Sequence, residues 1–82
     1  MPKKSTADMI IIELRKVRME RDLSQTYVAE RLGVTQVYLY LIETGDKEPR
    51  LALVRKYCEE LGLELETFMC QVFRDSYIAS NM

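Results

Sequence analysis

Histidine and tryptophan are absent from this 82-residue chain, and cysteine, proline and glycine number only two, two and three. Without histidine, and with Cys58 and Cys70 outside any metal-ligand spacing, neither a zinc site nor a Cys–His nucleophile can be assembled. No metal and no cofactor are expected. Both cysteines read as reduced thiols. Cys58 falls inside a helical pattern as a small apolar residue, whereas Cys70 has no assignable role.

Apolar runs are short, as at Met9 to Ile12, far below a bilayer crossing, and no signal peptide is recognisable. The expectation is a cytoplasmic protein that makes no membrane contact. Charge of one sign does not dominate either: the net charge is −1, which argues against indiscriminate binding to polyanions. Residues 1–50 carry nine Lys/Arg against eight Asp/Glu, and residues 51–82 carry three against five, a faint gradient from basic to acidic. Paired carboxylates at telling spacing and a glycine-rich phosphate loop are also missing, so no catalytic constellation forms and an enzyme is not expected.

What is present is the balance of an ordinary globular domain, 48% hydrophobic and 30% charged, at a length that supports a single domain with one modest core. Helical spacing recurs throughout and strand alternation does not, so the class is all-α. Residues 1–5 form an N-terminal arm carrying Lys3 and Lys4, and Ser5 with Asp8 has the form of a capping box. Helix 1 is expected from about Thr6 to Arg21, with Ile10, Leu14 and Val17 as its buried stripe, and Asp22 ends it. Ser24 caps a helix over Gln25–Leu32 that Gly33 stops; Thr35 caps a helix over Gln36–Thr44 that Gly45 stops. Pro49 opens a fourth helix, about Arg50 to Leu61, ending at Gly62. A fifth runs from about Leu65 to Tyr77.

Residues 25–44 meet the demands of a helix-turn-helix, in which two helices cross steeply. Ala29 is the small residue where the second helix crosses the first, and Gly33 sits four residues later at the turn. Val28, Leu32, Val34, Leu39 and Ile42 stand where both helices face a shared core. Seven constraints are thus satisfied within twenty residues.

Through "LSQTYVAERLGVTQVYLYLIETGDKEP", with the flanking "LRKVRMERD" and "LALVRKYCEELGLELETF", the chain resembles the Cro/phage-repressor type helix-turn-helix family over about residues 10 to 68. The resemblance implies a compact five-helix, lambda-repressor-like DNA-binding domain. It also implies a transcriptional regulator, most often a repressor, that binds a near-palindromic double-stranded operator as a homodimer with helix 3 as the recognition helix. No small-molecule ligand is evident.

The first residues of a recognition helix point at base edges, which accounts for a polar start at Thr35 and Gln36. Gln36 is expected to contact adenine in bidentate fashion, Val37 a thymine methyl, Tyr40 the same outer surface one turn on, and Tyr38 backbone or base. Phosphate contacts are expected around helix starts, where backbone N–H groups favour anions; the family resemblance points to Gln25 and to the loop after helix 3 with its cations Lys47 and Arg50, and Thr35 and Arg18 join them. The family pattern further implies a structural salt bridge between Arg18 and Glu43, orienting Arg18 towards the DNA backbone.

Departures from the family pattern carry a second reading. Leu41 and Thr44 stand where basic or polar residues are common, and Tyr38, Tyr40 and Leu41 make a greasy outer surface. That surface fits a protein-interaction module, or an antitoxin-like partner, that keeps the fold without operator binding. Arg50 and Glu64 also replace hydroxyl caps, weakening those helix starts by about 1 kcal/mol each. Beyond the shared pattern, residues 65–82 carry Phe68, Met69, Val72, Phe73 and Tyr77, which are expected to form a twofold dimer interface because a small domain has little core left for them to cover.

Overall fold

The computed structural model describes the backbone of residues 6–80 and the side chains of residues 7–74. Five helices follow in order: α1 Thr6–Glu20, α2 Gln25–Leu32, α3 Gln36–Thr44, α4 Leu51–Glu60 and α5 Leu65–Ser80. The described residues contain no strand. The arm with Lys3 and Lys4, and the Ser5 half of the expected capping box, lie outside them.

α2 and α3 occupy the ranges their caps predict. The Ser24 side chain accepts from Tyr27 N–H at 3.0 Å and Thr35 Oγ1 accepts from Tyr38 N–H at 3.1 Å, each satisfying a first-turn donor that the helix itself leaves unpaired. α4 begins at Leu51, and Arg50 is its N-cap with no side-chain cap bond, as expected of a residue that replaces a hydroxyl cap. Pro49 is buried just before that cap. α5 continues three residues past the expected end.

Helices α1 to α4 all close with a left-handed residue. Asp22 (φ 57), Gly33 (φ 74), Gly45 (φ 86) and Gly62 (φ 73) turn the chain, and the following N–H reaches back five residues, as in Val34 N–H to Ala29 O at 3.0 Å and Leu63 N–H to Cys58 O at 2.8 Å. After three of these turns the next residue is apolar, and Leu23, Val34 and Leu63 pack down against the core. The motif thus ends the helix and anchors its exit in one step.

The core joins Ile10, Ile11 and Leu14 of α1 with Val28, Ala29 and Leu32 of α2, Leu39 and Ile42 of α3, Val54, Tyr57 and Cys58 of α4, then Leu61 and Leu65. Ile11 is as buried as Ile10, and Val17 is only half-buried, so the buried face of α1 is wider than the expected stripe. α1 and α4 act as a shared wall. α2 and α3 pack on it, and among the described residues α5 packs on α1 and α4.

That arrangement occupies part of the apolar surface of α5. Phe68 and Met69 are half-buried against the domain's own core, because α1 and α4 keep an apolar side away from α2 and α3 and α5 covers it. Val72 is half-buried and Phe73 is 38% exposed. The Tyr77 side chain lies outside the described residues. No described helix is long and apolar enough to cross a membrane, and the described residues hold no cluster of metal-ligating side chains.

Candidate nucleic-acid interface

α3 is anchored from one side and bare on the other. Leu39, Ile42 and Glu43 are buried, while Gln36, Val37 and Tyr40 face solvent, Val37 at 63% and Tyr40 at 49% exposure. Positions 36, 37 and 40 share one helix face by the three- and four-residue spacing. Tyr38 and Leu41 do not belong to that face as expected, since both are half-buried. The Tyr38 ring packs against the core, and Lys47 Nζ lies 5.1 Å from its centroid. Between α3 and α4 a groove of about 500 Å³ is lined by Val34, Thr35, Tyr38, Arg50, Ala52, Leu53 and Lys56.

Beneath α3 lies a buried polar network centred on Glu43, whose side chain has no solvent exposure. Arg18 donates from Nε to Glu43 Oε2 at 3.1 Å and from Nη2 to Oε1 at 2.9 Å, with Nη1 bonded to Leu23 O at 2.6 Å. Tyr57 Oη donates to Glu43 Oε2 at 2.7 Å, and Gln25 Nε2 donates to Oε1 at 3.0 Å. Gln25 Oε1 in turn accepts from Gln36 Nε2 at 2.7 Å. A continuous chain of hydrogen bonds therefore runs from α4 through α3 and α2 to the first residue of the exposed face. Among the described residues no buried side-chain polar atom lacks a partner.

Burial alone would lower the Arg18 pKa, but the hydrogen bond and charge of Glu43 outweigh it and the net shift is upward. Burial, then the bond to Glu43, raises the Tyr57 hydroxyl well above the ordinary tyrosine range, so it stays a neutral donor. Cys58 is pushed up to about 11 by burial, which suits packing and not reactivity.

Two expected phosphate ligands are engaged within the protein in this geometry. Arg18 is 7% exposed and all three of its guanidinium nitrogens are bonded inside the protein, so it supports α3. Gln25 is half-buried, with both side-chain polar atoms committed to Glu43 and Gln36. Thr35, Lys47 and Arg50 are exposed near the start of α3 and on the loop that follows it. An unforeseen cation joins them: Arg15, half-exposed, with Nε 3.8 Å from Glu43 Oε1. Tyr57 was equally unforeseen. Its signal was a tyrosine among the apolar residues of helix 4, since a buried hydroxyl requires an acceptor.

Residues 14–68 match the helix-turn-helix family profile. The chain is 29% identical over 63 residues to the uncharacterized HTH-type transcriptional regulator YqaF of Bacillus subtilis (strain 168), covering 77% of this chain and 83% of that protein. Its fold is similar to the crystal structure of the clp gene regulator ClgR from Corynebacterium glutamicum, with a TM-score of 0.78 over 98% of this chain and 85% of the other at 21% identity.

Proposed function

Since the chain belongs to the Cro/phage-repressor type helix-turn-helix family of DNA-binding transcriptional regulators, we propose that it represses transcription by binding a near-palindromic operator as a homodimer, with α3 in the major groove. The observation that carries this reading is the exposed Gln36 at the first position of α3, flanked by exposed Val37 and Tyr40 on a helix fixed from below by Glu43. A glutamine so placed matches the donor and acceptor of an adenine edge, and Val37 suits a thymine methyl. Lys47, Arg50 and Arg15 supply the cations for flanking phosphates, with Thr35 as a hydroxyl contact. The exposed remainder of α5, Phe73 with half-buried Val72, supports a twofold contact.

Selection of bound duplexes from a random pool tests the reading. The expected result is a near-palindrome with half-sites about 34 Å apart, an affinity that falls steeply with salt, and loss of preference at one base pair per half-site in Gln36→Ala. A pool that yields no preferred sequence excludes it. Exposed Val37 and Tyr40 also favour a second reading, a protein partner docked on α3, for which duplex affinity would be absent and Tyr40→Ala would abolish the protein complex.

A further inference from the structure

We propose that the groove between α3 and α4 binds a small carboxylic acid with an apolar body, its carboxylate held by Lys56, and that the bound acid displaces the duplex. The binding stands on the groove alone; the displacement rests on the duplex-reading role given to α3 above.

The lining selects the chemistry of the ligand. Val34 and Tyr38 on one side, with Ala52 and Leu53 on the other, make walls that favour an apolar body over water. The volume of about 500 Å³ falls within the range of sites that take small molecules. Two cations flank this apolar stretch: Arg50 and Lys56 stand three residues before and three after Leu53, about 9 Å apart along the axis at helical rise. Among the described residues no carboxylate lines the groove. Its charge is therefore positive, and the complement is an apolar molecule that carries a negative end.

Lys56 is placed to hold that end. Its Nζ donates to Leu32 O at 3.2 Å, at the close of α2, which fixes the ammonium and leaves two of its three N–H groups to give. Glu60, one turn further along α4, is engaged by Arg31 at 2.7 Å. From Lys56 the apolar body lies along Leu53, Tyr38 and Ala52 towards Arg50. Thr35 and Arg50 line the same groove and are the groups assigned above to backbone phosphates. An acid seated beside them sets a negative charge where the phosphates must come, so acid and duplex oppose one another.

The test is a titration of the full chain with octanoate at fixed ionic strength, followed through backbone amide shifts, with acetate and octanamide as controls. Saturable binding is expected with a dissociation constant on the order of 1 mM, the shifts centred on Val34, Ala52, Leu53 and Lys56. Acetate lacks the body and octanamide the charge, so each should bind at least about fivefold more weakly. Lys56→Gln is expected to weaken octanoate by about fivefold and to leave octanamide unchanged. Ala52→Phe fills the groove from an exposed position and should abolish binding; if it does not fold, Lys56→Gln decides alone. Saturating octanoate should weaken duplex binding about fivefold in wild type and leave it unaltered in Ala52→Phe, whose duplex affinity without octanoate should match wild type.

Absence of saturable octanoate binding, the result for a groove that takes only a polypeptide, overturns the proposal. So do shifts centred elsewhere, an octanamide affinity equal to that of octanoate, or a wild-type duplex complex that octanoate leaves intact. If wild type binds no duplex at all, the reading of α3 has failed instead, and the titration still decides the groove.

Discussion

The Glu43 side chain has no solvent exposure and is held by four hydrogen bonds that reach it from three other helices. Removing it leaves the Arg18 guanidinium buried and uncompensated and the Tyr57 hydroxyl without an acceptor. Glu43→Ala is expected to cost about 3–5 kcal/mol, a large part of the stability of a domain this size, measurable by urea unfolding. Tyr57→Phe deletes one hydrogen bond to a charged group and leaves the ring in place, so about 1.5–3 kcal/mol is expected. A smaller loss for Glu43→Ala than for Tyr57→Phe would contradict the account, because the carboxylate is the hub and the hydroxyl one spoke.

At the scale of elements, the turn between α2 and α3 sets where Gln36 stands. Gly33 has φ 74, and a Cβ there would meet nothing nearer than Lys56 Nζ at 3.8 Å, so Gly33→Ala fails through backbone strain and not through a clash. A cost of about 1–2 kcal/mol follows, read as a lower midpoint in thermal or urea unfolding. α4 begins with a cap that supplies no side-chain bond. Arg50→Ser is expected to raise stability by about 1 kcal/mol while reducing the salt slope of duplex binding by about one. The two effects have opposite signs because Arg50 is a poor cap and a free cation. Most element ranges were legible, since Ser24, Gly33, Thr35 and Gly45 act within a few residues of themselves. Pro49 marks the start of α4 only to within a residue, because it fits the first helical turn and the position before the cap alike.

For the whole molecule, pH resistance should be asymmetric. Cys58 and Tyr57 both hold their protons more tightly folded than unfolded, so their contribution is complete below the unfolded values and declines as pH rises. Stability should fall from about pH 9, the ordinary value for Cys58, towards its folded value of about 11, with Tyr57 adding to the loss above its ordinary 10. Unfolding midpoints across pH 7 to 11, compared with Cys58→Ala, should show a flatter alkaline limb in the variant whatever its absolute stability. On assembly, α5 turns Phe68 and Met69 to its own core and leaves Phe73 partly outside. Phe73→Glu is expected to lower the sedimenting mass to that of a monomer and to weaken duplex binding; a wild-type protein already monomeric at tens of micromolar would contradict the α5 dimer.

Local rules written in the chain determined the helices, their caps, the glycine turn and the exposed start of α3, because each depends on residues within about four positions of one another. Tertiary structure alone brought Gln25 and Tyr57 to Glu43. The pair of Arg18 with Glu43, 25 residues away, was implied by the family pattern, but that it fills all three guanidinium nitrogens with Leu23 O as the third partner is a matter of packing. Gln25 bonds to both Glu43 and Gln36 only because α2 crosses between them. Which face of α5 is spent on the core was likewise settled by the apolar surface that α1 and α4 leave uncovered, a surface no single segment of the sequence contains.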